Sequence, residues 1–194
     1  MSGRLPSLLV AGGFLLALSS CGNPSAPTSM ATLPSPMPLL APSAVPGVAY
    51  TTRPLSVSEL GKDAPLPTLG PTIRTLGFVG GRERTFQGES RHLTLVVSRF
   101  LAFKDPVGAR SYLALVHSNA AAFFGGAATA QILTAEGRSG WLFTPAACAC
   151  HLANPVLIGV VGAGSSVVWL EINGPDATPD LLISLLDPAA ASSV

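Results

Sequence analysis

LTLVVSRFLAFKDPVGARSYLALVHSNAAAFFGG, residues 93–126, is the stretch that decides the fold. In its first part Leu93, Leu95, Val97, Leu101 and Phe103 fall on one side of an extended chain. Val96 and Phe100 fall on the other, so a long strand over Leu93–Phe103 is expected, with both faces at least partly covered. Asp105-Pro106 then opens a helix, because an aspartate can cap the first free amides and proline has no amide to lose at the first helical position. Ala109, Tyr112, Leu113, Val116, Ala120 and Phe123 recur at helical spacing, and Gly125-Gly126 stops the run.

The pattern continues on both sides. Upstream, Leu66–Phe78 reads as a short helix with Pro71 near its start, and Phe78-Val79-Gly80-Gly81 as the turn that follows it. Downstream, strands are expected at about Thr129–Thr134 or Gly140–Thr144, then at Val156–Val161 and Val167–Ile172. Gly162-Ala163-Gly164-Ser165 joins the last two as a tight hairpin loop. Thr178-Pro179 caps a final helix carrying Leu181, Leu182, Leu185 and Leu186, which ends at Pro188. Helix, strand, helix, three strands, helix is an α+β order. It implies an antiparallel sheet of about four to five strands with two or three helices packed on it.

The first 20 residues have a different composition. Arg4 precedes an apolar run from Leu8 to Leu18, interrupted only by Gly12 and Gly13, and small residues Ser19 and Ser20 lead to Cys21. A charged start, a short apolar core and small residues at the cut describe a secretory signal peptide over residues 1–20. The run is shorter than the roughly 20 residues that a membrane-spanning helix needs. Leu18-Ser19-Ser20-Cys21 resembles the lipobox of bacterial lipoproteins. The resemblance implies that the Cys21 thiol receives a diacylglyceryl group and becomes the new N-terminus. The covalent lipid, with palmitate-type chains, would then hold the protein on the extracytoplasmic face of the cell membrane. Two or more acyl chains make such an anchor stable where one is marginal.

From Gly22 to about Thr52 the chain is rich in Pro, Ser, Ala and Thr, with Pro24, Pro27, Pro34, Pro36, Pro38, Pro42 and Pro46 and no charge before Arg53. This reads as a disordered tether over residues 21–53 that lifts the domain off the lipid surface, about 30 Å as a coil and up to about 90 Å if extended. A single domain over 54–188 and a disordered tail over 189–194 complete the expected organisation. The order of elements over Leu93–Leu186 is similar to that of small actinobacterial lipoprotein domains of the PsbP/Mog1 type, many of them without a known function.

Charge excludes one class of partner. Only 11% of residues are charged and the net charge is +1, which leaves a nucleic-acid partner without electrostatic support. Arg74, Arg82, Arg84, Arg91, Arg99, Lys104 and Arg110 outnumber Glu83, Glu89 and Asp105 locally, a bias that could meet anionic lipid or glycan but is expected to be a solvated face. Cys148-Ala149-Cys150-His151 is the one cluster with chemistry to offer. With Cys21 lipidated, Cys148 and Cys150 are the remaining thiols, in a compartment where disulfides persist. A local Cys148–Cys150 disulfide, two inert thiols, a redox pair and soft-metal binding with His151 are all compatible with the residues.

There is no G-x-S-x-G, no H-E-x-x-H and no phosphate-binding loop, so no catalytic residue is assigned and no dissociable cofactor is expected. His92 and His117 read as surface or edge histidines, and Trp141 and Trp169 as strand core or sheet edge. The sequence therefore describes a membrane-anchored envelope lipoprotein with a non-enzymatic domain. Its expected partners are an envelope protein, a glycan or a small apolar ligand. The alternative is a redox or soft-metal-binding envelope protein built on Cys148, Cys150 and His151. Replacing Cys21 by Ala is expected to abolish fatty-acid labelling in the native host; labelling that survives the change would refute the lipobox reading.

Overall fold

A computed structural model describes residues 39–62, 66–88, 93–135, 137–146, 154–187 and 191–192. Its frame is a seven-stranded sheet in the order β2-β3-β4-β8-β7-β6-β5, antiparallel at every pairing. The strands are β2 (Ala49–Leu55), β3 (Phe78–Gln87), β4 (Leu95–Phe103), β5 (Ala128–Ala135), β6 (Arg138–Pro145), β7 (Val156–Ala163) and β8 (Ser166–Asn173). A separate two-stranded pair joins β1 (Leu39–Leu40) to β9 (Ala191–Ser192). The helices are α1 (Val57–Lys62), α2 (Leu69–Thr75), α3 (Pro106–Ser118), α4 (Ala120–Phe123) and α5 (Pro179–Leu185).

The α+β class and the antiparallel sheet agree with the sequence, but the expected four to five strands and two or three helices undercount the fold. Among the described residues the sheet has seven strands, and five helices accompany it. Segments 129–134 and 140–144, weighed as alternatives, are both strands and form one hairpin. Phe78-Val79-Gly80-Gly81 is the start of β3, not a turn. A bulge at Val79 and two glycines obscure the alternation there. Residues 39–53 are elements of the fold rather than tether. Leu39, Leu40 and Val45 are buried, and β2 is an edge strand, where proline is tolerated. Ala191–Ser192, expected in a tail, pair with β1. The long helix breaks at Asn119, which separates α3 from α4.

The alternation in β4 and β8 sorts the core into two layers. Val96, Phe100, Val168, Leu170 and Ile172 point to one face, where α5 and β1 cover them. The other face carries Leu101, Phe103, Val167 and Trp169, and α3 packs there through Ala109, Tyr112 and Val116. Because both faces are covered, β7 and β8 read as almost unbroken apolar runs. Caps fix α3 and α5 where the sequence placed them. The Gly108 amide donates to Asp105 Oδ1 at 2.8 Å, and the Leu181 amide to Thr178 Oγ1 at 3.2 Å. Gly164, at φ 55°, supplies the left-handed residue of the β7–β8 hairpin.

Two polar contacts strap β1 across the α5 face. The Leu40 amide donates to Ser98 Oγ at 3.1 Å, and Arg84 Nη1 donates to the Leu40 carbonyl at 2.8 Å. Arg84 is only 6% exposed; its Nε donates to Thr52 Oγ1 and its guanidinium lies 5.2 Å from the centre of the Tyr50 ring. This arginine is not part of a solvated face. On the opposite side, the start of α3 presses onto the end of α2 closely enough that a Cβ at Gly108 would run into the Leu76 carbonyl. Gly108→Ala is therefore expected to lower stability by about 1–3 kcal/mol, despite alanine's better helix propensity. A urea midpoint equal to or above wild type would contradict that packing.

Candidate functional site

The helices do not cover the whole of their face. α1 to α3 close over one end of β4 and β8, and the other end is left open between α1–α2 and α4. The result is a groove of about 910 Å³. Leu55, Leu60 and Leu69 form one wall, and Phe123 and Phe124 the other. Leu95, Ile158 and Val156 contribute to the sheet side, with Asn154 and Asn173 at the strand ends. Phe124 lies 5.8 Å, ring centre to ring centre, from Trp169, so the aromatic wall is continuous with the floor.

The floor is a single row running across four strands. Register sets Arg53 opposite Glu83, Glu83 opposite Arg99, and Arg99 opposite Trp169. One side chain therefore follows the next on the same face. Arg53 Nε donates to Glu83 Oε1 at 2.7 Å, and Arg99 Nε donates to Glu83 Oε2 at 2.5 Å. The Arg99 guanidinium also lies 5.3 Å from the centre of the Trp169 ring. Glu83 is the buried member, its side chain 6% exposed, while those of Arg53 and Arg99 are 57% and 28% exposed. Its carboxylate is thus the hub that fixes both arginines.

Burial pushes the Glu83 carboxyl upward, but the hydrogen bonds and charges of Arg53 and Arg99 outweigh it and hold the group below the usual glutamate value of 4.5. Glu171, one row along and opposite Val97, goes the other way. Burial raises its carboxyl above 4.5, with nearby Glu83 adding to the rise and Arg99 opposing it. Tyr112, from α3, is driven up to about 12 by burial and stays protonated. The Trp169 Nε1–H is buried and has no acceptor among the described residues. No Ser, Cys or His is among the described residues that line the groove. Among the described residues no cluster of His, Cys, Asp and Glu is arranged to hold a metal. The arrangement combines apolar walls with a charged floor held by ion pairs.

The residues singled out in the sequence are distributed unevenly. Trp169 is core, as expected, but also floor. Trp141 stacks at 3.8 Å on His117, an exposed histidine on α3 well apart from the floor. Cys21, His92, Cys148, Cys150 and His151 lie outside the described residues. Arg53, Glu83, Arg99 and Glu171 were not identified as site residues. The available signal was Arg99, an isolated charge in the apolar run Leu95–Phe103, and Glu171, an isolated charge in Ser166–Asn173.

No protein-family model matches the chain, and no curated protein matches it either. Among solved structures, the extracellular domain of PknH from Mycobacterium tuberculosis is similar at 11% identity and a TM-score of 0.45, over 77% of this chain and 86% of that one.

The two glutamates predict opposite pH behaviour. Glu83, held low, stabilises the fold above 4.5, and that contribution is lost as pH falls through its lowered value. Glu171, held high, favours the fold below 4.5, and that advantage is lost as pH rises through its raised value. Glu83→Gln is expected to cost about 1–3 kcal/mol near neutral pH, because it leaves two arginines without their shared acceptor. Glu171→Gln is expected to raise the melting temperature near neutral pH and to leave it unchanged well below 4.5. Thermal melts across that range check both signs, and a Glu171→Gln melt below wild type at neutral pH would contradict the assignment.

Proposed function

We propose that the protein is an envelope lipoprotein, anchored through Cys21 on the extracytoplasmic face of the membrane, whose domain is a non-enzymatic receptor for a small, mainly apolar ligand. The anchoring half of this reading rests on Leu18-Ser19-Ser20-Cys21 and the apolar run before it. The ligand half rests on one observation: a groove of about 910 Å³ with apolar walls and a few fixed polar groups on its floor. Concave, mostly apolar sites of about 300–1,000 Å³ with a small number of placed polar groups are the usual form of a small-molecule site. Among the three partners the sequence left open, the groove favours the small apolar ligand over a glycan. Leu55, Leu60 and Leu69, along one wall, offer a sugar's hydroxyls no hydrogen-bond partner.

The test uses the full mature chain and a neutral apolar fluorophore, N-phenyl-1-naphthylamine. Saturable one-to-one binding is expected in wild type. Leu95→Trp, which adds bulk on the half-buried floor, is expected to weaken it about tenfold or more. The melting temperature should stay within a few degrees of wild type. Absence of saturable binding, or equal binding by a folded Leu95→Trp variant, would overturn the groove as the site.

A further inference from the structure

The floor of the groove is short of acceptors. Arg99 spends its Nε–H on Glu83 and its face on Trp169, and among the described residues its two terminal nitrogens make no hydrogen bond. Trp169 adds a second donor without an acceptor, the buried Nε1–H. Of the two residues it is Arg99, whose side chain is 28% exposed and lines the groove, that can take an incoming oxygen on its terminal nitrogens. The guanidinium is also held in place from two sides, so its outer edge is a preformed fork for a planar anionic head. Unmet buried donors carry a penalty that an acceptor removes.

The charges around the groove bear on the head group. On β2, β3 and β4 the guanidinium groups of Arg53 and Arg99 both face the Glu83 carboxylate, and Arg53 also interacts with Glu59. Glu59 of α1 is at the rim, exposed, and tied to the Ser56 amide at 2.7 Å. Tyr112 of α3 is neutral. The described lining residues of α2, α4, β6 and β7 carry no charge. On β8, Glu171 is the remaining titratable group, close enough to Arg99 for the two to interact. When Glu171 is ionised the lining carboxylates outnumber the two guanidinium groups; when it is protonated the numbers are equal, and Arg99 has lost a competing negative charge beside it.

We infer that the ligand of this groove is an amphipathic monoanion, an apolar body with one carboxylate head, which docks on the terminal nitrogens of Arg99 while Glu171 takes up a proton from solvent. The inference rests on the groove being the ligand site and deepens it. Anion and proton favour each other because each relieves the repulsion the other would meet, so affinity for the anion rises as pH falls. A ligand with a neutral head has no such coupling.

Dodecanoate and dodecanol, which share an apolar chain and differ in the head, are the probes, read by displacement of N-phenyl-1-naphthylamine from the full mature chain. Dodecanoate is expected to displace at about tenfold lower concentration than dodecanol at the acid end of a pH series begun above the usual range of a carboxylic acid, and the preference should shrink as pH rises through the raised value of Glu171. Glu171→Gln is expected to hold the preference constant across that range, and Arg99→Gln to bring the ratio toward one. If Arg99→Gln does not fold, the pH dependence and its loss in Glu171→Gln decide. Fluorophore binding with no preference for dodecanoate, or a preference whose pH dependence survives Glu171→Gln, would overturn the anion inference and leave the groove reading standing. Failure of the fluorophore to bind at all would overturn the groove reading instead.

Discussion

The pairing of β4 with β8 is the constraint on which the rest of the molecule depends. These strands are far apart in sequence, and their ladder joins β2-β3-β4 to β8-β7-β6-β5. Its register sets Arg99 opposite Trp169, Val97 opposite Glu171 and Leu95 opposite Asn173. A slip of one residue would turn one strand over against the other and send Arg99 or Glu171 into the apolar layer beneath α5. An unpaired charge there is costly, so the same residues that furnish the groove floor also hold the register.

The two faces divide the work of the fold. The α5 face is dense and apolar, closed by the β1 strap through Ser98 and Arg84. The other face is closed only in part, because α3 ends at Ser118 and the short α4 that follows leaves one end of the sheet uncovered. Asn119, whose Nδ2 donates to the Leu115 carbonyl at 2.8 Å, marks the break. A helix continued straight to Phe123 would direct Phe123 and Phe124 elsewhere. The break turns these aromatics toward Trp169, where they wall the groove.

Local signals made part of this legible. Period-two alternation revealed Leu95–Phe103, apolar runs around the Gly162–Ser165 turn revealed Val156–Ala163 and Ser166–Asn173, and the Asp105-Pro106 and Thr178-Pro179 caps located α3 and α5. Each of those features is written within about a dozen neighbouring residues. β2 and β3 were missed because their stability comes from partners. Pro54, Gly80 and Gly81 argue against a strand locally, and Arg82-Glu83-Arg84 looks like a solvated run until pairing sends Glu83 and Arg84 to opposite faces. The floor was hidden for the same reason. Arg53, Glu83, Arg99 and Trp169 come one from each strand, and nothing in their spacing announces that registers will line them up.

The β1–β9 pair has a consequence for display. Residues 39 and 192 are partners, so the described chain enters and leaves the domain at one place. That place lies on the α5 side of the sheet, because Leu39 and Leu40 pack there against Phe86, Val96 and Phe100. The groove opens on the other side. A domain held at Leu39 or Ser192 would therefore be held on its α5 side, with the groove on the opposite face of the sheet.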